Sequence, residues 1–142
     1  MAEKTFDDVV SESHYGWGEF IKGDPVPAEN LFSRAPDVSN ANPFGPVALG
    51  WENVVQTMER AAGFYRDGEV VGFDTLVKYA TDDLGYIVEM ERYSIKVGGA
   101  SERSSVIFRV TSVLRREEDG WKIVHRHADP ITSVRSAESV IQ

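Results

Sequence analysis

The sequence predicts an α+β fold, helices first and a long antiparallel sheet after, with a polar recess, and three observations carry that expectation. Apolar residues recur at helical spacing in the first half of the chain and alternate from Val70 onward. Asp82-Asp83, Gly98-Gly99 and Asp119-Gly120 read as turns that cut the alternating half into strands of hairpin length. The last of these runs carries His125, Arg126, His127 and Asp129. A strand facing only core or water has little use for such a set, whereas a strand lining a recess does.

Thr5-Phe6-Asp7-Asp8 marks the first helix start, a threonine cap followed by acidic residues in the positive first turn. Phe6, Val9, Val10, Ser13, His14, Trp17, Phe20 and Ile21 then form one stripe, and Gly23-Asp24-Pro25 ends it. Residues 25–50 hold five of the six prolines and read as loop, with one short helix or strand near 28–34 or 36–39. A second helix places Val54, Val55, Met58, Ala61, Ala62 and Tyr65 on a stripe, with Asp67-Gly68 as its stop. Strands follow over 70–79, 84–97, 103–116 and 120–132 as an antiparallel meander, and 133–142 reads as a polar tail.

At 142 residues the chain is expected to form one domain, 1–142, with its core in about 5–132. Its apolar share of 42% and charged share of 27% are those of a globular chain rather than a disordered one. A net charge of −8 argues against nucleic acid or an anionic membrane as partner, since both require a basic face. The absence of cysteine excludes disulfides, thiolate catalysis and zinc–thiolate sites. No apolar run approaches the roughly 20 residues of a membrane span, and no leader pattern opens the chain, so cytoplasm is the expected compartment.

His14 reads either as a core histidine bonded to a carbonyl or as an imidazole projecting into a cavity. Gly16 and Gly18 favour the second, because each costs a helix about 1 kcal/mol and so suggests that space is wanted. Glu89 and Glu91 share a strand face with Ile87, Tyr93 and Ile95. Partial burial there would raise one carboxyl toward general acid or base duty; the structural alternative is a cross-strand pair with arginine. Arg109, amid Val106, Ile107, Phe108 and Val110, calls for a carboxylate from Glu89, from Glu91 or from a ligand. His125, His127 and Asp129 fall on one strand face, yet histidine-x-histidine alone is a weak metal motif, so no metal site is expected. Packing of the histidines against Trp121 and Ile123, or contact with a second subunit, are the alternatives. With no phosphate loop or nucleophile elbow, no cofactor is expected either.

The N-terminal helix, the second helix opening with Gly50-Trp51-Glu52, the meander and the ending Gly120-Trp121-Lys122-Ile123-Val124-His125-Arg126-His127 resemble the SnoaL-like branch of the nuclear transport factor 2-like superfamily, over about 5–132. That resemblance implies a cone: a curved sheet wrapped around the helices with a deep ketosteroid isomerase-like pocket, usually dimeric through the outer sheet face. Alignment with the kinase association domain of that superfamily puts His14 where a pocket glutamate stands, and Glu91 where an arginine stands. Ser112 and Ala128 fall where it has two further arginines. It also turns Val124 and Arg126 inward and both histidines outward. No tyrosine and protonated aspartate pair of the isomerase kind is found. The expected function is therefore small-molecule binding, or a cofactor-free isomerase, cyclase, dehydratase or hydrolase acting on an apolar oxygenated compound. Glu91 would be the proton acceptor, His14 its partner across the pocket, Trp17, Trp51 and Tyr65 aromatic walls, with Glu89, Arg109 and Arg126 as polar contacts. The alternative is a dimerisation module with a vestigial pocket, in which Trp121, His125 and His127 form the interface.

Overall fold

The computed structural model describes residues 3–142. Helix α1 (Phe6–Phe20) opens with a reciprocal cap: the Thr5 hydroxyl accepts from the Asp8 N–H at 3.0 Å and the Asp8 carboxylate accepts from the Thr5 N–H at 2.9 Å. Its apolar stripe is buried at Phe6, Val9, Val10, Trp17 and Phe20. A Cβ on Gly16 would come within 3.0 Å of the Ala28 backbone, so this glycine lets the short α2 (Val26–Glu29) lie against α1. The space expected at Gly16 is thus taken by α2, whereas Gly18 lines a groove beside His14.

The proline-rich segment also supplies two short strands, β1 (Ser39–Ala41) and β2 (Ala48–Leu49). Helix α3 (Trp51–Ala62) ends at Gly63, and Tyr65 already belongs to the strand β3 (Tyr65–Ala80). Asp67-Gly68 is therefore not a helix stop. It is an irregularity inside β3, with Asp67 at φ 52° and a register shift between Arg66 and Glu69. The cause is close approach: the Gly68 N–H donates to the Ile21 carbonyl at 3.2 Å, and a Cβ on Gly68 would fall 2.5 Å from that oxygen.

Strands β4 (Leu84–Val97), β5 (Ser104–Glu117) and β6 (Gly120–Asp129) continue from β3 as an antiparallel meander. β1 joins β6 in parallel, giving a six-stranded sheet of order β2-β1-β6-β5-β4-β3. The helices precede the long strands in the chain and share one core with them, and this curved sheet with its helical filling is the cone that the resemblance implies.

Strand β6 carries a bulge that strict alternation misses. Leu114 pairs with Ile123, but Val113 pairs with His125, which leaves Val124 as the extra residue. Ile123 is held from its other edge, donating to the Leu31 carbonyl at 2.9 Å and accepting from the Ser33 N–H at 2.8 Å. Trp121 and Ile123 thus point inward, and beyond the bulge Val124, Arg126 and Ala128 do so as well. The outward histidines cannot pack on Trp121 and Ile123. Trp121 is a core residue set edge-on to Phe6 at 5.4 Å, which removes it from any interface role.

Candidate functional site

Alternation along β4 buries Ile87, Glu89, Glu91, Tyr93 and Ile95 together, so two carboxylates enter the interior side by side. Glu91 is fully buried and meets Arg126 in a bidentate pair, both nitrogen–oxygen distances being 2.8 Å. The Tyr93 hydroxyl donates to the same carboxylate at 2.7 Å, and the Arg126 guanidinium lies 3.6 Å over the Trp17 ring. Burial works against the charge of Arg126, but Glu91 outweighs it and holds the guanidinium above its ordinary pKa.

This pair forms the polar side of a cavity walled by Trp17, Phe20, Tyr65, Tyr93 and Phe108. The cavity volume is about 40 Å³. Burial pushes the Tyr65 and Tyr93 hydroxyls up, so both keep their protons at neutral pH. Two lining side chains are almost wholly buried yet have no side-chain hydrogen-bond partner among the described residues: Asn40 at 3% exposure and Tyr65 at 4%. Their polar ends stay available to a molecule in the cavity.

His14 and Glu91 are not partners. His14 Nε2 instead lies 2.5 Å from Glu89 Oε2, with its ring stacked on Phe73 at 4.1 Å. This second hydrogen-bonded pair opens toward a groove between α1 and β3 rather than into the aromatic cavity. Arg109 meets neither Glu89 nor Glu91. It sits on the outer face and donates to Asp129 at 2.7 Å, because its β5 position alternates away from the buried Phe108 and Val110. Trp51 is also outside the cavity, at the start of α3 with the Arg34 guanidinium 3.5 Å over its ring. Trp17, Tyr65, Glu91 and Arg126 are brought together. His125 Nδ1 bonds the Ser39 hydroxyl at 2.7 Å and His127 Nε2 bonds Asp129 at 2.9 Å. Among the described residues no group of three or more histidines and acids is placed to hold a metal ion.

Sequence reasoning missed Asn40 as a cavity residue and used Tyr93 only as a neighbour of the glutamates. For Tyr93 a signal existed, since it stands two residues from Glu91 on one face. Asn40 lies in a segment read as loop, where no periodicity could point it inward.

Residues 20–132 match the model of the SnoaL-like domain. Among solved structures, a candidate calcium/calmodulin-dependent protein kinase type II association domain from Thiobacillus denitrificans superposes with a TM-score of 0.74 at 17% identity, over 93% of this chain and 99% of that one. A candidate dehydratase of the nuclear transport factor 2-like family from Streptomyces avermitilis gives 0.70 at 21%, over 89% and 96%. A ketosteroid isomerase-like protein from Erwinia carotovora atroseptica gives 0.69 at 11%, over 88% and 95%. No curated protein matches the sequence. At these identities the structures speak for the fold alone. The matched residues cover most of the chain, and on that ground it belongs to the SnoaL-like domain family.

Proposed function

We propose that this protein binds a small, uncharged, mainly apolar molecule bearing an oxygen substituent, inside the cone. The observation that carries this reading is the pairing of two unpartnered polar side chains, Asn40 and Tyr65, with aromatic walls and a charged pair that neutralises itself. A carboxylate ligand would have to compete with Glu91 for Arg126, at the cost of breaking a buried bidentate pair. An uncharged oxygen needs only the free Tyr65 donor or the Asn40 amide. Aromatic side chains make the rest of the contact, which is how most such pockets bind. The cavity is small, so the ligand is compact or enters as Trp17 and its neighbours shift.

Glu91 accepts three hydrogen bonds already, from Arg126 twice and from Tyr93. That arrangement favours a structural anchor over a proton acceptor, so binding rather than turnover is the reading for this cavity. Thermal-shift screening against steroids, polyketide-like aromatics and short carboxylic acids tests it. A saturating hit stabilises by about 2.7 kcal/mol at a hundredfold excess over its dissociation constant. Tyr65→Phe is expected to weaken an uncharged hit about three- to tenfold with little change in melting temperature. Stabilisation by the carboxylic acids alone would contradict the reading.

A second reading, assembly through the outer sheet face, is favoured by the exposed apolar side chains Val77, Tyr79, Leu84 and Tyr86 toward one end of the sheet. The partner would be a second copy of this chain. Light scattering over a concentration series tests it: a mass equal to one chain at every concentration would end it.

A further inference from the structure

We infer that His14 and Glu89 form a second, chemically active site, an acyl-accepting imidazole that opens on the groove between α1 and β3 and takes activated esters. The inference does not depend on the cavity reading. Glu89 is 2% exposed, and His14 is the one side-chain partner of its carboxylate among the described residues. A buried carboxylate this close to Nε2 accepts the Nε2 proton, which fixes the tautomer and leaves the Nδ1 lone pair free. Nδ1 has no hydrogen bond among the described residues, and stacking on Phe73 holds the ring still. The imidazole is 28% exposed and lines a groove with Tyr15, Gly18, Lys22, Gly68 and Val70. Nucleophile, orienting carboxylate and access are thus all present.

The step balances without any further reactant. Nδ1 attacks the ester carbonyl carbon, the carbon–oxygen bond to the leaving alcoholate breaks, and the Nε2 proton passes to Glu89. Water then adds to the acyl-imidazole carbonyl carbon and gives one proton to the released alcoholate, the carbon–nitrogen bond breaks with its electron pair returning to Nδ1, the carboxylic acid leaves, and Glu89 returns the proton to Nε2. His14 is the catalytic residue and Glu89 a positioning residue.

His127 provides an internal control. It also bonds a carboxylate, Asp129, and it is more exposed, at 52%. Asp129, however, is already neutralised by Arg109 at 2.7 Å and accepts from the Ile131 N–H as well. Exposure alone therefore ranks His127 as the more reactive, and the carboxylate argument ranks His14 first.

Diethyl pyrocarbonate labelling of the wild-type protein, followed by peptide mass spectrometry, decides between them. Carbethoxylation of His14 at least threefold faster than of His127 and His125 is the expected order. In Glu89→Gln, with its fold verified by circular dichroism, labelling of His14 should slow at least fivefold while the outer histidines keep their rates. p-Nitrophenyl acetate supplies the second readout, with His14→Gln losing at least tenfold in nitrophenolate release. Labelling that follows exposure, with His127 first, would overturn the inference from the wild-type protein alone. Ester cleavage unchanged by His14→Gln would overturn it equally.

Discussion

Two glutamates two residues apart on the same face of β4 meet opposite fates. Glu91 is sealed, its carboxylate gripped by both arms of Arg126 and by Tyr93 beneath the Trp17 ring. Glu89 is also buried, but its partner is a histidine whose side chain stays 28% exposed. The difference teaches that a shared strand face does not imply a shared role. What crosses the interior to meet each carboxylate decides: an arginine from β6 closes one site, and a histidine from α1 leaves the other open.

Breaking the closed pair is expected to have the largest effect. Arg126→Met leaves Glu91 buried without a cation and should cost about 3–5 kcal/mol in urea denaturation, whereas adding Glu91→Leu to the same protein should restore most of the loss. A double variant no more stable than the single one would show that the pair does more than neutralise itself. Tyr93→Phe, which removes one hydrogen bond to a charged acceptor, should cost about 1.5–3 kcal/mol in the same assay. The smallest effect belongs to the outer face. Arg109→Ala removes an exposed partner of Asp129 and should leave the unfolding midpoint within error. A drop comparable to that of Tyr93→Phe would mean that the outer face is buried in solution, as a second copy would bury it.

Much of this architecture is legible in the sequence, because long alternating runs and a capped amphipathic helix are signals that tertiary context seldom overrides. The burial of Glu89 and Glu91 follows from period-two alternation. Their partners do not, since pairing across an interior depends on how far α1 and β6 reach. Arg109 illustrates the limit: its own strand says only that it opposes Phe108 and Val110, and nothing in the sequence says which of those faces is the interior. The β6 bulge is a second case. It arises where residues 31–33 grip Ile123 from outside the meander, a contact between segments some ninety positions apart. Tyr65 lies past the end of α3 because Gly63, not Asp67-Gly68, stops the helix. Trp51, expected among the aromatic walls, instead lies under the Arg34 guanidinium.

The three tryptophans report on the central claim, that the aromatic cavity is the binding site. Trp17 lines it, Trp51 lies under Arg34 at the start of α3, and Trp121 packs against Phe6. The decisive measurement follows the three indole N–H signals in proton–nitrogen correlation spectra while the best-stabilising uncharged compound is titrated in. A saturable shift of the Trp17 signal, with those of Trp51 and Trp121 nearly still, is the predicted result. Saturation that moves Trp51 or Trp121 and leaves Trp17 unchanged would place the ligand elsewhere and contradict the account.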